Sequence, residues 1–137
     1  MKLRLLNAAC LVFGSLVSSP ANSMTSAELL SNCKSALRVI EGTGIDVDGV
    51  PTGMCIGYVA GVLDGYEVGD ETAKIKIKEY YPEFKGPKAN FKVPDGADPQ
   101  QIIRVVVKYL EDHPENLHQP AWFGIIMAAT NAFPIGK

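Results

Sequence analysis

Two cysteines limit most tightly what this chain can become. Cys33 and Cys55 each fall on the apolar stripe of a predicted helix, about one helical hairpin apart, downstream of a segment that reads as an export signal. In an oxidising compartment an even pair of cysteines is read as a bridge. The expectation is a small, all-α domain stapled by one disulfide. Closing a loop of about twenty residues contributes roughly 3 kcal/mol on the chain-entropy model. A bridge there also withdraws both thiols from covalent chemistry.

The export reading rests on the first 23 residues. Lys2 and Arg4 form a basic start, an apolar run follows from Leu5 to Val17, and small residues precede a polar stretch. That order is a secretory signal peptide, and the run is too short to anchor the chain across a bilayer. Cleavage after Ser23, with Ala21 at the −3 position, fits best, and cleavage after Ala21 is the near alternative. Ala8-Ala9-Cys10 looks like part of a lipobox, but Asn7 stands where an aliphatic residue belongs and the apolar run continues past Cys10. Cys10 is therefore expected to leave with the signal. Residues 24–137 remain, enough for one domain with one core. The prediction is an exported protein.

Loss of Lys2 and Arg4 leaves 11 basic and 15 acidic residues. That mild acidity argues against general nucleic-acid binding. The charge is uneven: six lysines lie between Lys74 and Lys92 against Glu79 and Glu83, a local excess of four positive charges.

Thr25 followed by Glu28 is a capping box, and Leu29, Cys33, Ala36, Leu37 and Ile40 recur at helical spacing behind it until Gly42 and Gly44. A second helix is predicted from Pro51 to Tyr66, with Cys55, Val59, Val62 and Tyr66 on one stripe. Gly57, Gly61 and Gly65 fall on another stripe at four-residue steps, each costing roughly 1 kcal/mol relative to alanine. Packing of a neighbouring helix within the fold is the favoured reason, and a binding groove is the alternative. From Gly69 to Val93 the helical pattern breaks. Lys74-Ile75-Lys76-Ile77-Lys78 alternates with period two, and so does Asn90-Phe91-Lys92-Val93. Two short strands, or an extended lysine-fringed flap, are expected there, with a solvated loop as the alternative. Asp98-Pro99 opens a third helix that His113-Pro114 stops. A fourth begins near Pro120 and is apolar nearly all round, as expected of the most buried helix. Trp122, Ile125, Ile126, Ala129 and Phe133 mark one side of it.

Catalytic constellations are not found in this sequence. His113 and His118 do not have zincin spacing, and His113 at a helix C-terminus fits a dipole or carbonyl contact instead. Asp46-Val47-Asp48-Gly49 opens like a calcium loop but lacks the later oxygen ligands, so it reads as a turn. Neither a phosphate loop nor a GxSxG elbow is present. The expectation is a non-enzyme with no metal and no cofactor.

Taken together, these blocks resemble the Rap/Tai family of immunity proteins, which protect bacteria against type VI secretion peptidoglycan amidases. The resemblance rests on the Glu28-Leu29-Leu30 to Cys33 helix and the run from Cys55 through Tyr58 and Gly61 to Asp64. It continues through Phe91-Lys92-Val93-Pro94, the run from Val105 to Glu115, and the closing Ala132-Phe133-Pro134. The Cys55–Asp64 and Val105–Glu115 blocks are the most specific. It implies a helical periplasmic protein, often a homodimer, that occludes the cleft of a cognate amidase without inserting in a membrane. On the motif positions, Cys55, Tyr58, Gly61, Asp64 and Pro114 read as scaffold. Family members often carry a second cysteine pair where this chain has Lys92 and Ile135, and the Gly69–Ala89 stretch is longer than usual. The family motifs do not mark the toxin-facing residues. Charge and aromatics concentrate at Lys74, Lys76, Lys78, Tyr80, Tyr81 and Phe84, which are the expected partner-binding residues. Two other readings stay open: an acid chaperone of the HdeA type, and an envelope-binding module whose lysines meet anionic glycan or lipid.

Overall fold

Thr25 Oγ1 accepts the Glu28 backbone N–H at 3.3 Å while the Glu28 carboxylate accepts the Thr25 N–H at 2.8 Å. This reciprocal cap starts α1, Ser26–Ile40. The computed structural model describes residues 23–44, 49–84 and 89–135. The signal-peptide, Cys10 and Asp46–Asp48 readings lie outside those residues. After α1 come α2 (Val50–Tyr80), α3 (Pro99–Asp112), a single 3-10 turn at Pro114–Asn116 and α4 (Ala121–Ala132). Among the described residues the domain is all-α, with four α-helices and one disulfide.

Gly42 ends α1 at φ 69°, a left-handed position that costs a residue without Cβ nothing, and its N–H reaches the Val39 carbonyl at 3.1 Å. Asp98 accepts the Gln100 N–H at 3.0 Å with Pro99 following at the first helical position, so α3 begins as expected. Two further N–H groups at the start of α1 are met from across the fold. Ser26 and Ala27 donate to the carbonyls of Gln119 and Leu117 at 2.8 and 3.0 Å, which ties the start of α1 to the entry of α4.

The core lies where α1, α3 and α4 meet the first half of α2. Leu29, Cys33, Cys55, Leu110 and Ile125 are fully enclosed, and Val106 nearly so. Cys33 and Cys55 form the predicted disulfide, with Cα atoms 4.9 Å apart. Exposed ion pairs from Lys34 to Glu111 (2.7 Å) and from Arg104 to Glu41 (3.0 Å) stitch α1 to α3.

Three expectations need correcting. Among the described residues the Gly69–Val93 segment forms no hairpin: α2 runs unbroken for 31 residues to Tyr80, about 46 Å. The alternating lysines and isoleucines have no sheet to join among the described residues. Instead, Asp70 and Glu71 precede Lys74 by four and three residues, the order that supports a helix. The Asn90–Val93 stretch is extended, but Phe91 pairs with Pro134 and stacks on Tyr66 with ring centroids 4.4 Å apart. Second, a Cβ built on Gly57, Gly61 or Gly65 would meet nothing within 4 Å, so no helix of the fold packs closely on that stripe. Third, α4 is not enclosed all round. Ala121, Gly124, Ile125, Ala128 and Ala129 face the core, while Trp122 is 49% exposed and Met127 also faces outward.

Candidate partner-binding surface

Past Tyr66 no side chain of α2 is fully buried, though Asp70 and Ile77 are half-buried, and the last 14 residues run on for about 21 Å, the first of them up to Lys74 lining a cleft. This overhang carries Lys74, Lys76, Lys78 and Tyr80, and Tyr81 and Phe84 follow directly. Tyr80 and Tyr81 are each 68% exposed and Phe84 is 61% exposed. Aromatic rings standing in water gain nothing for the fold, yet they present large contact area with few rotatable bonds.

The lysines differ from one another. Lys74 Nζ donates to Asp70 at 2.6 Å and to Glu71 at 2.8 Å, and these bonds hold its ammonium well above the usual lysine range. Lys76 lies 3.4 Å from Glu79. Lys78 alone of the three has no acidic partner among the described residues. The positive excess read from the sequence is thus partly cancelled within α2. Spacing alone could have shown it, because Asp70 and Glu71 sit one turn before Lys74.

Beside the overhang is a cleft of about 640 Å³. One wall is the face of α2 from Ile56 to Lys74, and the other is the extended stretch Ala89–Asp95 with the start of α3 and Ile135. Val59, Leu63, Phe91 and Ile103 make its floor. Its rim holds Asp64, Glu67, Asp70, Glu71 and Asp95 against Lys74 and Lys92. Lys92 lies 3.6 Å from Asp95 and Lys74 answers Asp70 and Glu71, which among the described residues leaves Asp64 and Glu67 without a cation. The sequence reading missed this cleft because its walls come from segments some thirty residues apart.

The motif positions separate into buried and exposed groups. Cys55 is buried in the bridge, Tyr58 packs half-buried against the core, and Pro114 opens the turn that follows α3. Gly61 and Asp64 are exposed on α2. His113 Nδ1 donates to the Tyr109 carbonyl at 2.8 Å, and its ring stacks on Tyr109 at 4.1 Å, the carbonyl contact foreseen for a helix end. The Gln119 side-chain amide lies 2.9 Å from His118 Nε2. Among the described residues no three His, Cys, Asp or Glu side chains converge as a metal site would require. No described helix is long and apolar enough to cross a membrane.

The family model for Rap1a immunity proteins matches residues 25–135. The chain belongs to the Rap1a immunity protein family. The match runs from the cap of α1 to the residue after the Phe91–Pro134 bridge, so it takes in the α2 overhang and both walls of the cleft. No curated protein and no solved structure gives a significant match.

Proposed function

We propose that this chain is a periplasmic immunity protein that binds and blocks a cognate peptidoglycan amidase delivered by type VI secretion. The observation that carries the reading is the family match across 111 of the 137 residues. Inhibition of this kind is stoichiometric. It needs a rigid scaffold and an anchor that fills the enzyme's cleft, and it needs no catalytic group, metal or cofactor. The disulfide-tied bundle supplies the scaffold. The exposed Tyr80, Tyr81 and Phe84 at the end of α2 have the composition of such an anchor, and Lys78 would steer an acidic partner surface.

On this reading the mature protein starts at Met24 after export, and a homodimer is the working state. Tyr58 and Pro114 serve the scaffold. The test is affinity capture of the tagged mature protein from its native envelope, followed by mass spectrometry and N-terminal sequencing. One stoichiometric partner with a Cys–His amidase sequence, inhibited at a fixed molar ratio by the added protein, is the expected result. A spread of unrelated clients that grows at low pH would replace this reading with a chaperone. Salt-sensitive co-sedimentation with envelope fractions, without a protein partner, would replace it with an envelope-binding module. Light scattering of the purified protein checks the dimer.

A further inference from the structure

We propose that the cleft between α2 and the Ala89–Asp95 stretch is a second docking site, which takes a basic segment of the protein partner carrying an apolar side chain. The identity of the partner rests on the immunity reading; the chemistry of the site does not. Asp64 and Glu67 lie one turn apart on the same face of α2, so their carboxylates are neighbours. One guanidinium, with donors on two edges, can span a pair so placed. Below them, Val59, Leu63, Phe91 and Ile103 offer an apolar floor for the side chain next to that arginine.

Charge selects this occupant over others. Among the described residues the rim holds five carboxylates and two lysines, and both lysines are already engaged with Asp70, Glu71 and Asp95. An acidic segment or an anionic lipid headgroup would be repelled. A purely apolar segment would bury Asp64 and Glu67 with no compensating charge, which is costly.

The same helix therefore presents two unlike surfaces: an aromatic tip whose lysines are matched by Glu79 and Glu83, and an acidic, apolar-floored cleft. A partner that meets both must offer a pocket for aromatic rings and a basic apolar segment at a matching separation. Two unlike contacts specify orientation as well as affinity.

The test titrates the isotopically labelled mature protein with a capped hexapeptide alternating leucine and arginine, monitored by NMR. A second peptide with glutamate in place of arginine is the control. Saturable shifts confined to Leu63, Asp64, Glu67, Phe91 and Ile103 are expected, with none from the glutamate peptide. The D64N/E67Q double variant should bind about fivefold more weakly, the size typical of two exposed charge pairs, with an unchanged melting temperature. Shifts scattered over the surface, or equal binding by the glutamate peptide, would overturn the site. So would peptide binding that simply dissociates a dimer of this chain, since the occupant would then be a second copy. Failure to capture any amidase would sink the immunity reading and leave these peptide results intact. An amidase held with full affinity by D64N/E67Q would sink only the cleft.

Discussion

A Cβ added to Gly124 would stand 2.8 Å from Leu110 Cδ2 and 2.9 Å from Ser26 Oγ, closer than real side chains allow. Gly124 is thus where α4 lets α1 and α3 approach, whereas Gly61 faces open space. The two glycines should respond oppositely to the same substitution. Gly124→Ala overpacks a filled interior and should cost about 1–3 kcal/mol, while Gly61→Ala should gain up to about 1 kcal/mol of helix propensity. Urea unfolding of both variants checks the sign. The sequence drew attention to Gly57, Gly61 and Gly65 because they recur at four-residue steps. It was silent on Gly124, whose constraint comes from residues far away in the chain. Regular spacing reveals a stripe but not which side of the helix faces neighbours.

Among the elements, helix starts were the most legible, because a cap is written in three or four adjacent residues. Thr25 with Glu28, and Asp98 with Pro99, open α1 and α3 where their side chains required. The Glu28 carboxyl is held below its usual range by the Thr25 backbone N–H first and the Thr25 hydroxyl second. A carboxyl depressed in the fold binds fewer protons there than in the unfolded chain. Its contribution to stability is therefore full above the ordinary carboxylate range and is lost as the pH falls through the folded value. The difference in melting temperature between wild type and Glu28→Gln should accordingly shrink in acid. The end of α2 was less legible. The Lys74–Lys78 alternation has strand period, and the acids at Asp70 and Glu71 that favour a helix lie just outside it. Pairing within the helix also ranks its lysines for recognition. Lys78→Glu should slow association with an acidic partner, measurable by stopped flow at low salt. If Lys78→Glu and Lys76→Glu leave the rate untouched, the tip is not the steering surface.

For the molecule as a whole, the bridge between Cys33 and Cys55 joins α1 to α2 across a chain separation of 22 residues. Removing it with paired serines should cost about 3 kcal/mol, which for a domain near 110 residues lowers the melting temperature by about 12 °C. Calorimetry with and without reductant measures the same quantity on the unaltered protein. The pairing, the helix count and the family were readable in advance because each depends on local pattern or on blocks of contiguous residues. The cleft was not, because its floor joins Leu63, Phe91 and Ile103 across three segments.

The overhanging end of α2 also bears on how such a protein changes over generations. Apart from the half-buried Asp70 and Ile77 its side chains are exposed, so most substitutions between Glu67 and Tyr80 draw little on the free energy of folding. On the proposed immunity reading, residues that meet the partner could be exchanged one at a time while the bundle behind them folds as before. A lineage that must keep pace with a changing adversary would gain from that separation.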